Sequence, residues 1–192
     1  MNFTPRQQQI INVAIELIAE KGIQDLTIKN LSGRIGIAES AIYRHFKSKQ
    51  DILLGILSLF DEDKTIFMEK IKASGKPPIE QLELLFRLRF KFFKENPAIA
   101  SVIFSEEIFR NDQRLSQKVF EIMKNNQEIV FDIIKAGQKQ NVIRKDINTH
   151  QLAFIIIGAL RLAVTRWRLS GFAFNLEKEG KKLWESILKI IK

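Results

Sequence analysis

The chain has no cysteine. That excludes a disulfide framework and thiolate chemistry, and it fits a reducing compartment. Histidine is nearly as scarce. His45 and His150 are the only two, they fall in different predicted domains, and no metal site is expected to use both. Long hydrophobic runs are also missing. The longest, Leu152 to Leu160, is too short to cross a bilayer as a helix. The first residues, MNFTPRQQQ, carry no apolar signal core. The expectation is a cytoplasmic protein with no membrane partner. No G-x-S-x-G, no H-E-x-x-H and no phosphate-binding loop occurs, so neither an enzyme nor a bound cofactor or metal is expected. No strand signal competes with the helical ones, and no internal repeat stands out.

What is present is apolar, basic and periodic. Hydrophobic residues make up 45% of 192 residues, enough for a real core in one or two small domains. The net charge of +9 favours a polyanionic partner. The first fifty residues hold seven basic and four acidic side chains, so the excess is spread along the chain and does not by itself locate a site.

Helical signals follow one another along the whole sequence. Thr4, Pro5 and Gln7 combine an N-cap, a proline at the first helical position and a capping-box partner. Ile10, Ile11, Ala14, Leu17 and Ile18 then recur at helical spacing, and Gly22 is the expected C-cap. Ser48 and Asp51 form a second capping signature ahead of Ile52, Leu53, Ile56, Leu57 and Phe60. Asp61, Glu62 and Asp63 read as a solvated acidic face rather than a metal cage, which needs convergent ligands. Residues 73–78 are the clearest loop. A fifth helix is expected from about Ile79 to Lys94, with a polar stripe of Glu80, Glu83, Arg87, Lys91 and Lys94 on an otherwise Leu- and Phe-rich cylinder. Pro97 opens a sixth through Ile108, Asp112 caps a seventh reaching about Lys139, and an eighth covers about Thr149 to Ser170. The ninth, about Leu176 to Ile191, places Leu183, Trp184, Ile187, Leu188 and Ile191 at core spacing. The fold class is therefore all-α, with about nine helices.

The stretch from Thr27 to Lys49, TIKNLSGRIGIAESAIYRHFKSK, carries the function. Thr27 caps a short helix through Leu31 and Ile35. Gly36 supplies a tight turn, and a second short helix runs from about Ala38 to Arg44 on an apolar face of Ile37, Ile42 and Phe46. Two short helices around such a turn read as a helix-turn-helix, whose second helix enters the DNA major groove. Arg44 is the candidate for bidentate reading of a guanine. Glu39 and Ser40 face the groove, where Glu39 accepts from a cytosine amine or sits in a surface ion pair. Lys29 and Lys47 are backbone contacts or merely solvated. Thr27 reads as a plain N-cap, as a phosphate ligand at a helix N-terminus, or as both.

This stretch resembles the DNA-binding motif of the TetR family of transcription regulators. The resemblance rests on Leu26, Thr27, Ile28, Leu31, Gly36 and Ile37, and above all on Ile42-Tyr43-Arg44-His45-Phe46 followed by Ser48, Lys49 and Leu53. Ala38 and Ala41 depart from the family's usual Ser or Thr and Thr- or Leu-like residues, and a missing N-cap oxygen costs about 1 kcal/mol. The resemblance implies that Tyr43, His45 and Lys49 touch DNA phosphates and that Ala41 lies among the DNA contacts. It also implies a division into residues 1–50, which read DNA, and 51–192, which bind an effector and dimerise through the eighth and ninth helices. Phe86, Phe90, Phe104, Phe109, Phe120 and Phe154 sit on helices expected to enclose the effector cavity. Arg89 and Arg161 interrupt apolar faces, and each needs an anion: Glu106, Glu107, a partner subunit or a ligand, with an internal salt bridge preferred. Glu95-Asn96-Pro97, Gly137-Gln138 and Trp167 are similar to the subgroup governing fatty-acid metabolism. The function implied is a dimeric repressor on a palindromic operator of double-stranded DNA. It would be released by a small apolar effector, a fatty acid or acyl-CoA. The other reading is a DNA-organising or division-site protein of the same fold without a small ligand.

Overall fold

The computed structural model describes residues 3–104 and 112–192, without the side chains of residues 62–67, 69 and 72. Among these residues nine α-helices follow in order. They are α1 (Pro5–Lys21), α2 (Ile28–Ile35), α3 (Glu39–Tyr43), α4 (Lys49–Ala73), α5 (Pro78–Glu95), α6 (Pro97–Ile103), α7 (Gln113–Lys139), α8 (Thr149–Leu169) and α9 (Leu176–Ile191). A 3-10 turn, Ile23–Asp25, joins α1 to α2. The chain divides into two compact units. One comprises Met1–Asp63 and Pro97–Phe120, the other Lys64–Asn96 and Glu121–Lys192, so α4 and α7 each contribute to both.

In the first unit, local signals set the helix ends. Thr4 Oγ1 accepts the Gln7 N–H at 3.2 Å while Gln7 Oε1 accepts the Thr4 N–H at 3.0 Å, closing the capping box. Thr27 Oγ1 accepts the Asn30 N–H at 3.1 Å and starts α2. Gly36 ends that helix in the left-handed region, at φ 76°, where a side chain is disfavoured. Ala38 caps α3 without a side-chain hydrogen bond, and α3 is only five residues long. Its position rests on packing: Ile42 is fully buried and Phe46 nearly so, in a core with Ile10, Ile11, Leu17 and Leu31. α4 lies close to α1 at Gly55, where a Cβ would fall 2.8 Å from Ile11 Cδ1. Helix α6 packs against α1 and the 3-10 turn. The residues 97–103 thus belong to the compact unit that holds the helix-turn-helix.

In the second unit, α9 packs on α5 and α8. Phe86 lies 5.8 Å from Phe90 and 5.5 Å from Trp184 between ring centroids. A Cβ at Gly180 would overlap the Phe90 ring, so glycine is what lets α9 come this close to α5. Gln138 organises the turn between α7 and α8. Its Nε2 donates to the carbonyls of Arg144 (2.9 Å) and Ile147 (3.0 Å), and its Oε1 accepts the Thr149 hydroxyl at 2.6 Å. Trp167 and Phe172 meet edge-on at 4.6 Å beyond the end of α8. No helix among the described residues is long and apolar enough to cross a membrane.

Candidate nucleic-acid interface and effector site

The outward face of the first unit is built from α3 and its flanks. Ile42 and Phe46 point into the core, which turns Glu39, Ser40, Tyr43 and Arg44 to the exterior. Ala41 and His45 are half-buried at the edge of that face. The His45 carbonyl accepts a hydrogen bond from Gln7 Nε2 at 3.3 Å, so α1 holds the end of the recognition helix. Lys47 is exposed, and its backbone N–H donates to Asp51 Oδ2 at 3.0 Å. Thr27 and Lys29 lie exposed at the start of α2. Among the residues expected to meet phosphate, Lys49 is placed differently from the rest. Its Nζ donates to the Ile23 carbonyl at 3.2 Å, and burial holds its pKa below the ordinary lysine value. In this arrangement the ammonium ties the 3-10 turn to the start of α4.

Gln7 and Asp51 were legible as helix caps only. Their contacts with His45 and Lys47 carry no local sequence signal, because the partners meet only when the bundle closes.

The residues expected around an effector cavity are distributed unevenly. Phe86 and Phe90 are fully buried together with Trp184. A groove of about 520 Å³ runs above them between α5 and α9, with Glu83, Arg87, Lys178 and Lys181 on its rim. Arg89 is only 7% exposed, and its Nη2 donates to Asn126 Oδ1 on α7 at 2.8 Å. Arg161 is half-buried and directs Nη1 at Met123 Sδ, 3.2 Å away. Phe104 is half-buried beyond the end of α6 in the first unit. Phe120 and Phe154 are each 68% exposed on the surface of the chain. The reason is helical phase: Val119 and Ile122 take the buried side of α7, and Ala153 and Ile156 that of α8. Phe109, Glu106 and Glu107 lie outside the described residues.

A short helix held by its apolar side and turned outward by its polar side, after a glycine turn, defines a helix-turn-helix DNA-binding regulator. The family comparison agrees over nearly the whole length. The model for bacterial regulatory proteins of the tetR family matches residues 10–56, and that for the C-terminal region of YsiA-like proteins matches residues 60–190. The chain belongs to the tetR family of bacterial regulatory proteins.

Among its relatives is the fatty acid metabolism regulator protein of Bacillus subtilis, 29% identical over 178 residues, which cover 90% of this chain and 88% of that one. The nucleoid occlusion factor SlmA of Aliivibrio fischeri is 21% identical over 180 residues, covering 93% and 92%. Among solved structures, the transcriptional regulator FadR from Bacillus subtilis in complex with stearoyl-CoA superposes with a TM-score of 0.78 at 26% identity, over 96% of this chain and 99% of that one.

Proposed function

We propose that the chain is a dimeric repressor whose α3 helices read the two halves of a palindromic operator, and that a long-chain acyl compound releases it. The kinship with a fatty acid metabolism regulator over nine-tenths of the chain carries this reading. Three features of the molecule support it. The recognition face offers Arg44 for a base edge, with Tyr43, His45 and Lys47 beside it for phosphates. Helix α8 exposes Phe154, Ile155, Leu162 and Leu169, an apolar face that a second copy would bury, with α9 adding Ile190. The second unit joins a Phe- and Leu-rich interior to cations at Arg89, Arg161 and the groove rim. Such a lining gains roughly 25 cal/mol per Å² of apolar ligand it covers and leaves the polar groups of a sugar unpaired.

The domain assignment that goes with this reading is residues 1–50 for DNA and 51–192 for effector and dimer contacts. An effector that prefers the DNA-incompetent state by 1–3 kcal/mol would loosen DNA about 5–150-fold. The test is to titrate operator-bound protein with stearoyl-CoA, with long-chain fatty acids and with neutral alcohols of equal length. The acids and the thioester should release DNA and the alcohols should not. Release by none of them removes the acyl effector. Equal release by alcohols removes any role of the cations in head-group recognition.

A second reading has one observation in its favour, the relative that is a nucleoid occlusion factor. Occupancy of many dispersed chromosomal sites, insensitive to acyl compounds, would select it.

A further inference from the structure

The segment that leaves the recognition helix is held by a carboxylate that also faces another helix. Asp51 sits at the start of α4. Its Oδ2 accepts the Lys47 N–H at 3.0 Å, and its own N–H donates to Ser48 Oγ at 3.2 Å. Its other oxygen, Oδ1, accepts Nη1 of Arg114 at 2.7 Å, from the first turn of α7. Arg114 is itself fixed by Asp112. Nη2 donates to Oδ2 at 2.8 Å, Nε to Oδ1 at 3.2 Å, and the Arg114 backbone N–H to the same Oδ1 at 2.9 Å. A planar guanidinium held from two sides is a directed link: Asp112 takes its Nε and Nη2, and Asp51 takes its Nη1. The Asp51 side chain is 20% exposed and the Arg114 side chain 56%, so the carboxylate is the sheltered partner of the pair.

We infer that Arg114 is a positioning residue for DNA reading, acting through Asp51 on the backbone at Lys47, three residues beyond Arg44. Arg114 makes no base contact in this role. It fixes where the exit of the recognition helix can lie, so it contributes to binding only when α3 must fit a particular sequence. Arg114 thus joins the first turn of α7 to the first turn of α4, both within the first unit. The inference rests on the DNA-reading role of α3.

Full-length protein is titrated, by fluorescence anisotropy, against two duplexes of equal length. One is the site enriched from random DNA by the wild-type protein, and the other is unrelated in sequence. Arg114→Ala should weaken the enriched site about three- to fivefold, the scale of a well-made surface ion pair, and leave the unrelated duplex unchanged. Asp51→Asn keeps an acceptor for the Lys47 amide and should show the same selective loss, with the double variant no weaker than either single one. Equal losses on both duplexes, as a lost phosphate contact or a smaller folded fraction would give, overturn the inference. So do additive losses, or no loss on either duplex. If the wild-type protein enriches no site, it is the sequence-reading role of α3 that falls, and the inference with it.

Discussion

Helices α3 and α8 both turn side chains outward, and the two faces differ in kind. On α3 the exposed residues are Glu39, Ser40 and Tyr43, continued by Arg44, while Ile42 is the buried anchor. On α8 the exposed hydrophobic residues are Phe154 at 68%, Leu162 at 61% and Leu169 at 74% exposure, with Ile155 beside them, and the exposed polar ones are His150, Gln151 and Arg166. Between Phe154 and Leu162 lies Gly158, where a Cβ would meet open space. Each face is amphipathic in the opposite sense to the other. A polar, hydrogen-bonding face on a helix too short to be stable alone suits a polyanion that supplies complementary donors and acceptors. A greasy face on a long, partly buried helix suits a surface of its own kind, because water penalises its exposure and a two-fold axis removes both copies at once. The lesson is that the chemistry of an exposed face, more than its exposure, identifies its partner.

Substitutions on the two faces should therefore fail in different ways. The largest effect is expected on α8. Leu162→Arg places a charge in the proposed apolar interface and should weaken dimerisation by at least about 100-fold, since an unpaired buried charge costs several kcal/mol. Sedimentation at micromolar concentration should then show monomers, and operator binding should fall with them. An unchanged dimer would show that α8 is not the interface.

Gly180→Ala lies on neither face and separates folding from association. Its methyl would collide with Phe90, so urea unfolding should report a loss of about 1–3 kcal/mol from overpacking. Unchanged stability would mean that the contact between α9 and Phe90 yields easily.

On the DNA side, Arg44→Ala should cost about 1–3 kcal/mol and relax preference at one base position. Lys47→Ala should weaken all sequences about equally. A selection from random operators that returns the wild-type logo for Arg44→Ala would remove Arg44 as a base reader. The smallest effect is expected at Thr27. Thr27→Ala deletes the acceptor for Asn30 and should lower stability by about 1 kcal/mol, read by thermal unfolding. A further loss in DNA affinity, beyond that stability change, would add a phosphate contact to its role as a cap.

Much of the first unit was legible because its signals are local. The Thr4 and Gln7 box, the Thr27 cap and the turn at Gly36 each involve residues within a few positions, and all form as the spacing implies. Helices α5, α7, α8 and α9 were equally plain from their periodicity and end within two residues of the expected limits. What stayed hidden was contact between distant segments. Nothing near Lys49 announces the Ile23 carbonyl, and nothing near Arg89 announces the neutral amide of Asn126 on another helix. The outward setting of Phe120 and Phe154 had no sequence signal, because composition reports that a helix is apolar without fixing which side the core occupies. Helix α6 was legible as a helix, but its packing against α1 has no sequence signature.

In the proposed function, two copies of α3 read one two-fold symmetric site. Footprinting of the full-length protein on its enriched DNA, repeated from 50 to 200 mM salt, tests it most directly. Protection should centre on a palindrome, with affinity falling by ~10³–10⁵ over that range if about six to ten phosphates are contacted. An asymmetric footprint, or binding that is indifferent to salt, would contradict it.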